Sequence, residues 1–158
     1  IIFTMLALYR TDAFDPDFVQ LVSLLDQELA ERDGDEHSFY QQFNHIDRLG
    51  HVVLIKDNGS PIGCGAIKDL NGEAMEVKRM FVLAAQRGRG VAGSVLEELE
   101  KWAFELGYAS CRLETGKRQP EAIALYKRQG YQRIPNYGQY AEVENSICFE
   151  KKLKGIKT

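Results

Sequence analysis

Apolar and polar residues follow two rhythms along this chain. Phe18, Leu21, Val22, Leu25 and Leu29 recur at three- and four-residue steps, the spacing of one helix face. Asp15-Pro16-Asp17 lies just ahead of them; Asp15 can cap the helix and Pro16 suits its first position. Asp33-Gly34 ends it, and a second short helix is predicted over 36–44. Val91, Val95, Leu99, Trp102 and Leu106 mark the apolar face of a helix that begins near Gly90. Glu97, Glu98, Lys101 and Glu105 lie mostly opposite, and Gly107 supplies the stop. A last helix starts at Pro120 and ends at Gly130.

Strands are predicted over 5–11, 51–56, 62–69, 73–83, 110–114, 131–134 and 146–152. Asn58-Gly59 and Asn71-Gly72 are turn signals, because both positions tolerate positive φ. The strands around them therefore form an antiparallel meander. Gly63 and Gly65 weaken their strand unless a backbone or a ligand must come close. Strands first, then alternating strands and helices, give a mixed α/β sheet with helices on both faces.

A length of 158 residues fits one domain spanning 1–158. A hydrophobic share of 44% and a charged share of 27% are ordinary for a globular chain. The formal net charge of −3 offers no basic excess for nucleic acid. Cys64, Cys111 and Cys148 are odd in number, far apart and set in apolar runs. They read as buried reduced thiols, not as a disulfide or zinc framework, and suit a cytoplasmic protein with no bound metal. No segment approaches the ~18 apolar residues of a membrane helix. Residues 1–4 lack the cationic flank of a secretory leader and read as an expression remnant or an extension of the first strand.

The most informative segment is Met80-Phe-Val-Leu-Ala-Ala-Gln-Arg-Gly-Arg-Gly-Val-Ala-Gly93, between a strand and a helix. Gly88 and Gly90 would leave backbone N–H groups open at the positive end of the helix dipole, and Arg87 and Arg89 add charge. That chemistry suits a phosphate or pyrophosphate. No Gly-Lys-Ser/Thr follows, and the preceding strand does not open a βαβ unit, so neither a Walker loop nor a dinucleotide fingerprint fits. The plain alternative is a tight turn with solvated arginines.

Arg87-Gly88-Arg89-Gly90-Val91-Ala92 resembles the R/Q-x-x-G-x-G/A signature of the GNAT N-acetyltransferase family. The segment Glu76-Val-Lys-Arg-Met-Phe-Val82 resembles that family's fourth strand. Glu121-Ala-Ile-Ala-Leu-Tyr-Lys-Arg-Gln-Gly-Tyr131 resembles its late helix and strand, in the same order and at matching separations. The likeness is to small bacterial members. It implies a GNAT-like fold: a mostly antiparallel sheet, splayed at strands four and five, with helices on both faces. It also implies acetyl-CoA as co-substrate, with the pantetheine arm paired to Met80, Phe81 and Val82. Gly88, Gly90, Gly93 and the intervening Arg89, Val91 and Ala92 would cradle the pyrophosphate, with Arg87 beside them. Gln119 stands where the family often has an asparagine touching the cofactor.

The implied reaction is direct attack by a primary amine, free or peptide-borne, in a ternary complex. Such transfer needs a neutral amine, donors for the oxyanion and a proton for the leaving thiolate. Tyr126 matches the family's tyrosine near the thioester sulfur; core packing with Ile123 is the plain alternative. Glu76 and Glu114 match base positions used by different members, and a water relay is a third route. The acceptor site is expected near Asn44 and along the aromatic loop that carries Tyr137 and Tyr140. His37, His45 and His51 are scattered and read as polar surface or core. Nucleic acid and membrane are not expected partners, whereas homodimers are common in the family. The alternative class, a non-catalytic acyl-CoA-sensing module, predicts binding without turnover.

Overall fold

The computed structural model describes residues 5–33 and 49–154. Residues 1–4, the predicted helix over 36–44, Asn44, His37 and His45 lie outside the described residues. The elements are β1 (Leu6–Thr11), α1 (Pro16–Asp33), β2 (His51–Asp57), β3 (Ser60–Leu70), β4 (Ala74–Val82), α2 (Val91–Glu105), β5 (Ser110–Gly116), α3 (Pro120–Arg128), β6 (Gln132–Ile134) and β7 (Ser146–Lys152). The strands form one mixed sheet in the order β1-β2-β3-β4-β5-β7-β6. The chain divides into two compact units, Ile1–Lys68 with Lys78–Leu99, and Asp69–Val77 with Glu100–Thr158.

In the first unit, Asp15 caps α1 as expected: its Oδ1 accepts the Asp17 amide at 2.9 Å. Thr11 Oγ1 holds the other carboxylate oxygen at 3.0 Å. Phe18, Leu21 and Val22 then pack with Val52, Leu54, Cys64, Ala66 and Phe81. Burying each large side chain there is worth about 1.5–3 kcal/mol. The β2–β3 turn uses the left-handed pair Asn58 (φ 50°) and Gly59 (φ 85°), which matches the twist of the flanking strands.

The other sheet face of this unit explains the strand glycines. A Cβ on Gly65 would meet Met80 Sδ at 2.5 Å, Leu99 Cδ1 at 2.8 Å and Val95 Cγ1 at 3.1 Å. One on Gly63 would meet Ile55 Cγ2 at 3.0 Å and the Phe81 carbonyl oxygen at 3.2 Å. These glycines let β4 and α2 close onto β3. The buried face of α2 is Val91, Val95, Leu96, Leu99 and Ala103. The expected face drifts at its end: Trp102 is half-buried, and Leu106, beyond the helix, is 43% exposed.

The second unit holds the start of β4, which runs parallel to β5 through Met75↔Cys111 and Glu76↔Arg112. β7 is antiparallel to β5 from Ser110↔Lys152 to Gly116↔Ser146, and β6 pairs antiparallel with β7. The predicted stop of α3 is a left-handed Gly130 (φ 93°). The Gly130 amide returns to the Lys127 carbonyl at 3.1 Å and the Tyr131 amide to the Tyr126 carbonyl at 3.0 Å, a Schellman closure. Tyr131 then donates its hydroxyl to Glu100 at 3.0 Å, and Lys151 Nζ lies 2.8 Å from the same carboxylate. Glu100, predicted on no apolar face, is buried because both partners neutralise it.

Candidate active site

In the first unit, β4 leaves its regular course at Arg79, whose φ of 60° is left-handed and rare for a side chain of that size. Its guanidinium is buried against Asp26 of α1 at 2.8 Å, and its carbonyl accepts the Cys64 thiol at 3.4 Å. After this turn Met80 faces Val95 and Leu99, whereas Phe81 enters the core with Phe18. The side chains of the expected cofactor strand are thus committed to packing, and its backbone is what could meet a ligand.

The glycine loop follows a short 3₁₀ turn, Ala84–Gln86. Gly88 (φ 83°) and Gly90 (φ 76°) are both left-handed, and space around each is open. The first helical bond of α2 runs from the Ser94 amide to the Gly90 carbonyl at 3.1 Å. The amides of Val91, Ala92 and Gly93 therefore have no partner within the helix, and they sit at its positive end. Arg87 does not reach into this space. It donates to Glu28 at 2.7 Å and to the Val82 carbonyl at 3.0 Å, with its guanidinium 5.7 Å from the Phe81 ring centre. Arg87 is thus a brace between loop and strand. Arg89 hydrogen-bonds Gln86 and lies 3.6 Å from Asp57.

The second unit gathers four of the predicted residues on one sheet face. The Tyr137 hydroxyl donates to Glu76 Oε2 at 2.6 Å. Tyr137 and Tyr140 stack edge to face, 5.8 Å between ring centres. The Ser146 hydroxyl donates to Glu114 Oε2 at 2.5 Å. Glu76 pairs across the ladder with Arg112, and Glu114 with Cys148, and residues paired in a ladder share a face. Burial and then the charges of Glu76 and Glu114 raise the Tyr140 pKa. Burial, the Glu76 charge and the hydrogen bond to Glu76 raise that of Tyr137. Cys148 is pushed up to about 11 by burial and by both carboxylates.

Tyr126 lies on the other face. Its ring is 6.3 Å from Phe149, which neighbours Cys148 in β7 and so points oppositely, and 5.9 Å from Tyr131. It is buried at 6% exposure. Burial first, then the charge of Glu114, raises its pKa well above the usual phenol value, so its hydroxyl stays protonated at neutral pH. Gln119 sits at the head of α3, its Nε2 3.7 Å from where a Cβ on Gly116 would stand.

An open surface groove of about 610 Å³ is lined by Lys117, Arg133, Ile134, Asn136, Glu144 and Ser146 among others. Ser146 lines it and holds Glu114. From the sequence Ser146 and Cys148 were not placed at the site, Cys148 reading only as a buried thiol, and the two cations were not singled out. Only the β5–β7 register, Gly116↔Ser146 and Glu114↔Cys148, reveals the first two.

The profile of the Acetyltransferase (GNAT) family matches residues 18–131. The chain belongs to this family. It is an acyltransferase, and acetyl transfer is the chemistry of the fold it carries. An IAA acetyltransferase of Azospirillum brasilense is 34% identical over 137 residues, covering 85% of this chain and 90% of its own. The crystal structure of a protein assigned as an acyl-CoA N-acyltransferase from Klebsiella pneumoniae superposes with a TM-score of 0.80 at 28% identity, covering 95% of this chain and 99% of its own. A GNAT acetyltransferase of Elizabethkingia anophelis, solved with acetyl-CoA bound, shares the fold at a TM-score of 0.67 and 19% identity, covering 94% and 98%. The expected mixed GNAT sheet with its parallel β4–β5 pair is what the structure contains.

Proposed function

We propose that this GNAT protein transfers the acetyl group of acetyl-CoA to a primary amine by direct attack in a ternary complex. The observation that carries the reading is the arrangement in the second unit. Two carboxylates and two tyrosines share one sheet face, and a buried neutral tyrosine occupies the other. Glu76 and Glu114, on one sheet face, attract the incoming ammonium by their charge. One of them then takes its proton, directly or through a water. The freed nitrogen lone pair attacks the thioester carbonyl carbon, and a β4 backbone N–H at Phe81 or Val82 stabilises the oxyanion. As the C–S bond breaks, the Tyr126 hydroxyl donates to the sulfur.

The glycine loop binds the pyrophosphate through the amides from Gly88 to Gly93, and Met80–Val82 offers its backbone edge to the pantetheine. We assign Gln119 to the same ligand and Tyr137 with Tyr140 to the acceptor wall. The profile match runs through both compact units, which supports treating the chain as one acetyltransferase domain. Three buried free thiols suit a reducing compartment, and we place the enzyme in the cytoplasm.

Tyr126→Phe tests the role of the hydroxyl. It should keep acetyl-CoA affinity and lower kcat by about 10²-fold or more, the usual yield of a general acid. Full kcat in the variant would make Tyr126 a packing residue only.

A further inference from the structure

We infer that Arg79 is a positioning residue for the cofactor: anchored on Asp26, it holds the turn of β4 that sets the backbone from Met80 to Val82 against the pantetheine arm. This rests on the reading above that β4 meets acetyl-CoA along that edge, and it adds the side chain that fixes the edge.

The backbone carries the first observation. Among the described residues, three non-glycine positions have positive φ: Asn58, Asn71 and Arg79. Asn58 and Asn71 sit in the β2–β3 and β3–β4 turns, where asparagine is a favoured left-handed residue. Arg79 stands inside β4, Ala74–Val82, at φ 60°. No tight turn calls for that conformation there, and a large side chain makes it costly. Such outliers persist only where the surroundings over-determine them, and they gather at functional sites. This one directly precedes the three residues assigned to the pantetheine.

Two ties hold it, both within the first unit. Nη1 lies 2.8 Å from Asp26 Oδ1, with the arginine side chain 5% exposed. The Arg79 carbonyl accepts the Cys64 thiol at 3.4 Å, and Cys64 belongs to β3 and packs in the core with Phe18. The peptide between Arg79 and Met80 is trans and planar, so its N–H points opposite to its carbonyl. With the carbonyl held toward Cys64, the Met80 amide is aimed away from β3. The next two side chains then pack to opposite sides, Met80 near Val95 and Leu99 and Phe81 with Phe18. The backbone at the start of the cofactor edge is thereby fixed in direction.

Arginine is an expensive choice for this position. Besides the left-handed backbone, its Nε is buried with no hydrogen-bond partner among the described residues, a second unfavourable contribution. Glycine would adopt the same φ without strain and would bury no charge. What glycine lacks is the arm to Asp26. The ion pair is therefore what arginine adds, and it acts on the stretch of β4 that follows.

Two variants separate the anchor from the conformation. Arg79→Gly permits the left-handed backbone and removes the anchor. Asp26→Asn keeps Arg79 and neutralises its partner. Wild type and both variants are titrated calorimetrically with acetyl-CoA and with 3′-phospho-ADP, the nucleotide portion of the cofactor without pantetheine. We expect Kd for acetyl-CoA to rise about tenfold in Arg79→Gly, roughly the worth of one or two backbone hydrogen bonds, while Kd for 3′-phospho-ADP stays at its wild-type value. Asp26→Asn should move the ratio of the two constants in the same direction. A merely structural role would lower the folded fraction of a variant and leave that ratio alone. A ratio that keeps its wild-type value in either variant overturns the inference. Wild-type protein that binds acetyl-CoA and releases no thiol with any amine would overturn the transfer reading, and the ratio would still decide the role of Arg79. A wild type that binds acetyl-CoA no more tightly than 3′-phospho-ADP would overturn the pantetheine edge and the inference with it.

Discussion

Replacing Gly90 by alanine separates what the glycine loop does for folding from what it does for the ligand. Gly90 has φ 76°, and a Cβ there meets no atom within 4 Å. The cost to the unliganded protein is therefore conformational, with no steric clash. A side chain in the left-handed region costs about 1–2 kcal/mol, offset by about 0.4–1 kcal/mol from the stiffer unfolded chain. The net loss is about 1 kcal/mol, or about 2–4 °C in Tm for a chain of this size. Gly72 is the matched control: its φ is 73°, its surroundings are equally open, and it lies in the β3–β4 turn. Both variants should lose the same small amount of stability. They part company with acetyl-CoA. At a hundredfold excess over Kd the wild type gains about 2.7 kcal/mol from binding. A methyl group among the loop amides should weaken binding at least tenfold, cutting that gain at the same ligand concentration to about 1.4 kcal/mol. Thermal unfolding with and without ligand reads both quantities in one experiment. A full ligand shift in Gly90→Ala, or a lost shift in Gly72→Ala, would refute the assignment of the phosphates to this loop.

Tyr137→Phe removes a hydrogen bond of 2.6 Å from the buried Glu76; the expected loss is about 1.5–3 kcal/mol in denaturant unfolding, and a loss below 0.5 kcal/mol would mean the carboxylate re-pairs at once. Asp26→Asn strips the charge from the partner of the Arg79 guanidinium, whose own side chain is 5% exposed while that of Asp26 is 34% exposed; a loss of about 1–2 kcal/mol is expected, and an unchanged unfolding midpoint would contradict it. The thiols of Cys64 and Cys111 are pushed up to about 12 by burial. The unfolded chain releases those protons from about pH 9 upward while the folded chain keeps them, so stability should be full below pH 9 and fall as pH rises toward 12. Urea titrations at pH 8, 9.5 and 10.5 check the sign, and a flat or rising trend would refute it.

Elements announced by local chemistry were legible in the sequence. Asp15-Pro16 fixed the start of α1, Asn58-Gly59 and Asn71-Gly72 the two left-handed turns, and Gly107 and Gly130 the ends of α2 and α3. Each signal acts within a few residues. What failed depends on distant partners. β3 and β4 present Gly65 and Met80 to Val95 and Leu99 of α2, while Leu96 and Ala103 of the same helix are buried too. Gly63 and Gly65 announced a close approach without naming what approaches. Nothing in an arginine advertises a left-handed backbone, so the turn at Arg79 was invisible. In the site, Glu76, Glu114 and Tyr126 were named from family resemblance and Tyr137 and Tyr140 from the aromatic loop that carries them, but the Glu76–Tyr137 bond joins residues 61 positions apart. Ser146 and Cys148 enter through sheet register alone. Arg87 looked like a phosphate ligand because it flanks the glycines; Glu28, on a helix far back in sequence, is what its guanidinium holds.

Acetyl transfer to an amine is measured most directly by coenzyme A thiol release from acetyl-CoA across a panel of primary amines. Unfolding scans with acetyl-CoA and with ADP are run on the same sample. The account predicts a Tm rise with acetyl-CoA that ADP does not reproduce, and amine-dependent thiol release that Tyr126→Phe largely abolishes. A folded sample that shows no shift at millimolar acetyl-CoA, or binds it and releases no thiol with any amine, would contradict it.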